Sequence, residues 1–188
     1  MEEFIAYLQQ FGQLRQRDIE IIQAKGESLK LQKNECFSEP GMIPKQIGFV
    51  VEGVMRGFYL EEEGSEVTRC FIQEKSLVVD YINFEANSVA SEYIQACTDA
   101  SLLVFSKEDW KQFAEEIAGW EAIERKMVHS CMFLKSRHQP VISQDATSRY
   151  LALIKNYPNL INRVPLAYIA SYLGVTQPSL SRIRKNIS

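Results

Sequence analysis

Residues suited to reading and holding a polyanion crowd one short stretch, Thr176 to Lys185 (TQPSLSRIRK). Gln177 and Arg182 carry the two side-chain types that bond adenine and guanine bidentately in a major groove. Arg184 and Lys185 follow within one helical turn. Between Arg149 and Ser188 there is no Asp or Glu, while Arg149, Lys155, Arg163, Arg182, Arg184 and Lys185 are all cationic. The whole 188-residue chain nevertheless has a formal charge of -3. Such asymmetry between segments points to a nucleic-acid-facing end on an otherwise acidic protein.

The positioning elements can be read around that stretch. Pro165 suits the first turn of a helix, where its missing N–H costs nothing. Leu166, Ile169, Ala170 and Leu173 then share one face, and Gly174 suits a left-handed helix end. Thr176 can cap a second helix, with Pro178 tolerated in its first turn. Ala170 is small where two helices must cross closely. The sum is a helix-turn-helix unit. Phased at 100° per residue, the second helix buries Leu180, Ile183 and Ile187. Its other side presents Pro178, Ser181, Arg182 and Lys185, flanked by Gln177, Arg184 and Ser179. The expected base readers are Gln177, Pro178, Ser179, Ser181 and Arg182. The expected phosphate contacts are Thr176, Arg184, Lys185 and Arg163. A small helical subdomain with a solvated basic face is the plainer reading of the same residues.

Upstream the texture differs. Helical periodicity at Phe4, Ile5, Leu8 and Phe11, then at Ile19 and Ile22, gives way from about Leu29 to Phe105 to short apolar runs. IGFVVEG, VMRGFYL, EVTRCFI, SLVVDYI, EYIQAC and SLLVFS recur at sandwich- or barrel-like spacing. Gly41, Gly53 and Gly64 punctuate them, and Glu61 to Ser65 reads as a hairpin tip. From Lys107 the pattern is helical again. Trp120, Met127 and Leu134 lie seven apart, with Ile123 and Cys131 between them, which approximates a dimer seam. A helix packed on the β-region explains the same stripe. Pro140 should end or kink that helix, and Ser143 or Asp145 should cap the next.

Other chemistry has little support. There is no Gly-rich phosphate loop, nucleophile elbow or zinc-protease motif, so enzyme activity is not expected; Asp80 with Glu92 is the thinnest of catalytic candidates. Cys36, Cys70, Cys97 and Cys131 are too far apart for a zinc or iron–sulfur site and are expected to be reduced. No apolar run is long enough to span a membrane, the acidic start is unlike a signal peptide, and a cytoplasmic location is expected.

Taken together, the β-rich region, long helix and NRVPLAYIASYLGVTQPSLSRIRK resemble the Crp/Fnr family of bacterial transcription regulators. ECFSEPG, IGFVVEGVMRGFYLEEEGSEVTRCFI and DYINF look like that family's cyclic-nucleotide-binding β-roll. The resemblance implies an α+β fold in three parts: a jelly-roll-like sensor over 1–118, a dimerisation helix and hinge over 119–142, and a helix-turn-helix domain over 143–188. It favours the dimer reading of Trp120, Ile123, Met127, Cys131 and Leu134. It also implies a homodimer on a pseudo-palindromic duplex, possible contact with RNA polymerase, and a small-molecule effector whose identity is open. Haem-binding members would put ligands at His129 or His138, here read as surface or seam residues.

One departure concerns the effector. Cyclic-nucleotide-binding members carry a glycine and a glutamate ahead of an arginine and a small hydroxyl residue. The corresponding VVDYINFEANSVASEYIQA has neither glycine nor arginine. Its Asp80, Glu85 and Glu92 would repel a phosphate. Arg56 and Arg69, on neighbouring strands, are the remaining cations; with Asp80, Tyr81 and Glu92 they form the candidate effector set. Cyclic AMP binding is expected to be weak or absent, and no other cofactor is evident. The alternative function is a ligand- or protein-binding β-roll whose helical tail serves a protein partner.

Overall fold

A computed structural model describes residues 1–137 and 144–187, with side chains up to 132 and from 144. The expectations at Leu134 (its side chain), His138, Pro140 and Ser143 lie outside the described residues.

Two short helices, α1 (Glu2–Leu8) and α2 (Gln16–Lys25), precede eight strands. These are β1 (Glu27–Leu31), β2 (Cys36–Ser38), β3 (Gln46–Glu52), β4 (Met55–Leu60), β5 (Glu66–Ile72), β6 (Leu77–Val78), β7 (Tyr93–Ala96) and β8 (Ala100–Ser106). They form two antiparallel four-stranded sheets, ordered β1-β8-β3-β6 and β2-β7-β4-β5. The sheets face each other across Val50, Met55, Ile72, Val78, Ile94 and Leu102, all buried. This is the antiparallel sandwich expected from the run spacing, in the jelly-roll-like form that the resemblance implied. The β4–β5 hairpin turns at Gly64, whose φ is +81°, and Gly64 N–H donates to Glu61 O at 2.8 Å. At Gly53 (φ +104°) a Cβ would lie 2.6 Å from Asp99 O, so only glycine fits.

The run SLVVDYI is not one strand. Only Leu77–Val78 pairs, with β3, and Tyr81–Ala86 turns into a helix, α3. Its carbonyl end is held by Lys107, whose Nζ donates to Phe84 O and Asn87 Oδ1. A cation there satisfies acceptors that the helix leaves open.

Helices α4 (Lys107–Glu116) and α5 (Trp120–Arg137) follow β8. Ser106 caps α4 by accepting from Asp109 N–H at 3.0 Å. Here the seam expectation needs correcting. Trp120, Ile123 and Met127 are between 0 and 4% exposed and sit in one core with Phe4, Leu8, Phe49, Phe105, Trp110 and Phe113. Trp120 rings meet Phe113 at 4.8 Å and Trp110 at 5.1 Å. The stripe is apolar because it covers one end of the chain's own β-roll; a heptad pattern cannot tell that face from a seam. The face that α5 turns outward instead offers half-buried Val128 and exposed Met132.

The tail folds as α6 (Ala146–Asn156), a 3-10 turn (Leu160–Asn162), α7 (Leu166–Leu173) and α8 (Gln177–Ile187). Asp145 caps α6, accepting from Thr147 and Ser148 N–H at 2.9 and 3.0 Å. Gly174 ends α7 at φ +64°, ψ +39°, the left-handed closure its position implied. Ile169, Ala170, Leu173 and Leu180 are buried between α7 and α8.

Candidate nucleic-acid interface and sensor cavity

Helix α8 begins where Ser179 N–H donates to Thr176 Oγ1 at 3.3 Å, a side-chain cap. That hydroxyl also donates to Ser179 Oγ at 2.9 Å, so Thr176 is engaged in capping. Leu180 is fully buried and Ile183 half-buried, whereas Gln177, Pro178, Arg182 and Lys185 are exposed. Ser179, Ser181 and Arg184 are half-buried at the flanks. Arg182 Nε reaches back to Pro178 O at 3.5 Å, leaving its other guanidinium nitrogens on the exposed side. The outward face is thus hydroxyl, amide and cation, with no carboxylate on the helix.

Helix α7 lies against the outer side of β5, a contact the sequence did not announce. Val54, Phe71 and Cys97 of the β-roll share a core with Tyr157, Tyr172 and Leu173. Phe71 meets Tyr172 at 5.2 Å between ring centroids. Burial pushes the Cys97 thiol up to about 12, so it stays protonated. Thr68 N–H donates to Ser171 Oγ at 2.9 Å, and that hydroxyl donates to Glu66 O at 2.7 Å. Ser171 thereby satisfies a donor and an acceptor of a strand edge.

Two arginines assigned to other roles hold this junction. Arg56 is 1% exposed, its guanidinium 4.0 Å from the Phe58 ring and 3.5 Å from that of Tyr168. It donates to Glu66 at 2.5 Å, to Gln95 at 2.7 and 3.1 Å, and to Thr68 at 3.3 Å. It therefore does not face the effector cavity. Arg163 donates to both carboxylate oxygens of Glu74, which also accepts from Gly53 N–H at 2.9 Å. That pairing holds the Glu74 carboxyl down at about 2, and commits Arg163 to the β-roll instead of a phosphate.

A cavity of about 430 Å³ opens on the other side of β5. Arg69, Asp80, Tyr81 and Glu92, four of the five effector candidates, line it together. Strand β5 serves both sides because it bulges. Gly57 pairs with Cys70 and Phe58 with Thr68, so Arg69 is the extra residue, and it joins Cys70 at the cavity. Thr68 and Phe71 then face α7, while Cys70 and Ile72 face the cavity. Behind Tyr81, Glu124 accepts from Tyr81 Oη at 3.0 Å and from Trp110 Nε1 at 2.5 Å. Burial raises the Glu124 carboxyl above its ordinary range. His129 is exposed on α5. Among the described residues no three metal-ligating side chains converge, and no helix is long and apolar enough to cross a membrane.

The chain is thus a jelly-roll-like β-region with a cavity, followed by the long helix α5 and the helices α6 to α8. Residues 28–116 match the cyclic nucleotide-binding domain family. Solved structures similar to this one include transcription regulators, one of them of the crp/fnr family. FixK2 from Bradyrhizobium japonicum shares 16% identity over 86% of this chain and 84% of that one, with a TM-score of 0.73. The c-di-GMP-responsive global regulator CLP from Xanthomonas campestris shares 16% identity over 92% and 91%, with a TM-score of 0.67. A crp/fnr-family regulator from Eubacterium rectale shares 15% identity over 92% and 83%, with a TM-score of 0.63. No curated protein sequence matches the chain.

The cyclic nucleotide that the family's name implies can be tested against the cavity. Its lining has one cation and two carboxylates, and the cation, Arg69, is already ion-paired with Glu92. A phosphate would have to take Arg69 from Glu92 and sit beside Asp80 and Glu92. At about 5 Å and an effective dielectric near 20, each carboxylate would oppose it by roughly 3 kcal/mol. The residues present do not fit the group.

Proposed function

We propose that the protein is a sequence-specific DNA-binding transcription regulator of Crp/Fnr type, working as a homodimer. In this reading α7 and α8 form a helix-turn-helix and α8 enters the major groove. The observation that carries it is the exposed, acid-free face of Gln177, Pro178, Arg182 and Lys185 on a helix whose opposite side is anchored by Leu180. Gln177 and Arg182 read base edges, and Lys185 with the flanking Arg184 holds phosphates. Two copies would place their recognition helices about one helical turn apart, roughly 34 Å, on a pseudo-palindromic site. The outward face of α5, with Val128 and Met132, is where the second copy would sit, since the inner face is filled by the chain's own core. In this reading the β-roll with its cavity is the sensor, and RNA polymerase is the partner such a regulator would act on.

Fluorescence anisotropy on labelled duplex across a salt series tests this. Binding whose log affinity falls steeply with log salt is expected, each neutralised phosphate adding about 0.9 to the slope. Absence of binding at low salt would refute it.

A further inference from the structure

The mismatch between the cavity and a cyclic phosphate leads to a ligand of another class. We infer that the cavity binds a mostly apolar small molecule carrying a positively charged group, seated on Asp80 and Glu92. The inference builds on the sensor role given above to the β-roll.

Shape and lining set the body of the ligand. About 430 Å³ lies in the range of small-molecule sites, which are largely apolar with a few placed polar groups. Leu77, Val79, Ile82, Ile94, Val128 and Met132 supply the apolar wall. Ile82, at 63% exposed, is a large apolar side chain at its edge. A ligand that covers it gains by the ordinary hydrophobic term.

Charge sets the head. Arg69 and Glu92 neutralise each other across the cavity's edge. Among the described residues Asp80 forms no ion pair; it accepts from Asn83 Nδ2 at 2.8 Å and caps no backbone amide of α3. The lining therefore keeps one carboxylate charge unbalanced beside apolar surface, where a cation is attracted and an anion repelled. Tyr81 cannot serve an anion as donor, because its hydroxyl is committed to Glu124. An ammonium or guanidinium on an apolar body meets all three conditions.

The reporter is built in. Trp110 and Tyr81 share Glu124, so indole fluorescence should respond when the Tyr81 wall is loaded. The experiment titrates the full chain, without DNA, with n-octylammonium, n-octanol, n-octanoate and cyclic AMP, following Trp emission and thermal stability. Octylammonium should saturate and bind at least about fivefold more tightly than octanol, the range of a partly buried ion pair. Octanoate and cyclic AMP should bind more weakly than octanol. Asp80→Asn should bring amine and alcohol close to parity. Arg69→Gln, which frees Glu92, should tighten the amine several-fold, a gain that misfolding cannot produce. No saturable binding of octylammonium to the wild-type chain, or tighter binding of octanoate or cyclic AMP, would overturn the inference. So would an amine preference that survives Asp80→Asn. Since no DNA is present, these outcomes are independent of the anisotropy result, which tests the regulator reading alone.

Discussion

Breaking the Glu74–Arg163 pair should loosen the helical domain from the β-roll by a predictable amount. Both side chains are about 30% exposed, and the guanidinium donates to both carboxylate oxygens. Holding Glu74 at about 2, from its ordinary 4.5, would correspond to roughly 3 kcal/mol if the shift were all coupling. Solvent screening at this exposure, and the share due to Gly53 N–H, reduce that to about 1–2 kcal/mol. A double-mutant cycle with Glu74→Gln and Arg163→Met, read by urea denaturation at pH 7, should return a coupling of that size. The carboxyl is depressed in the folded state, so its contribution is complete above about pH 5 and is lost as pH falls toward 2. By pH 3.5 roughly a third to a half should be gone. A coupling under about 0.3 kcal/mol at pH 7, or one that grows on acidification, would refute the reasoning.

Substitutions on α8 should separate base from phosphate contacts. Arg182→Ala is expected to cost about 1–3 kcal/mol at one operator position and little on random duplex, measured by anisotropy on both. Lys185→Ala should weaken all sequences alike and lower the salt slope by about one. On α5, Met132→Glu should shift the sedimentation profile toward monomer while leaving thermal stability near that of the wild type. Met127→Glu should instead unfold the chain, because it places a carboxylate in a fully buried site. Arg56→Ala should destabilise the protein by about 3–5 kcal/mol in the same denaturation assay, since it removes a buried cation from two rings and leaves Gln95 and Thr68 unpaired.

Local chemistry was the legible part of the sequence. Gly174, Thr176 and Asp145 end or cap helices by short-range rules, and each does so in the structure. The two-sheet β-region followed from run spacing. What the sequence did not disclose is pairing over distance. Nothing around Arg163 announces Glu74, 89 residues away, and nothing around Arg56 announces Tyr168. Periodicity likewise showed that one face of α5 is buried, without saying by what. Asp80, Tyr81 and Glu92 come together at one cavity because they are near neighbours in one segment. Arg69 joins them only through its bulge, whereas Arg56 pairs with Phe71 and lies with it on the side of α7.

Strand β5 gives the arrangement its physical logic. The cavity and the helical domain are one strand thick apart: Arg69, Cys70 and Ile72 look one way, Thr68 and Phe71 the other. A ligand that pulls Glu92 from Arg69 acts on the bulge residue itself. It can change DNA affinity only by the free energy with which it prefers one placement of the helical domain over another. If it released the Glu74–Arg163 pair alone, that limit would be about 1–2 kcal/mol, a change of roughly five- to thirtyfold. A larger response would require parting Val54, Phe71 and Cys97 from Tyr157 and Tyr172, which exposes apolar surface. The size of the regulatory effect would therefore tell which of the two contacts yields: a salt-sensitive change within thirtyfold marks the ion pair, and a larger one with a heat-capacity signature marks the apolar face.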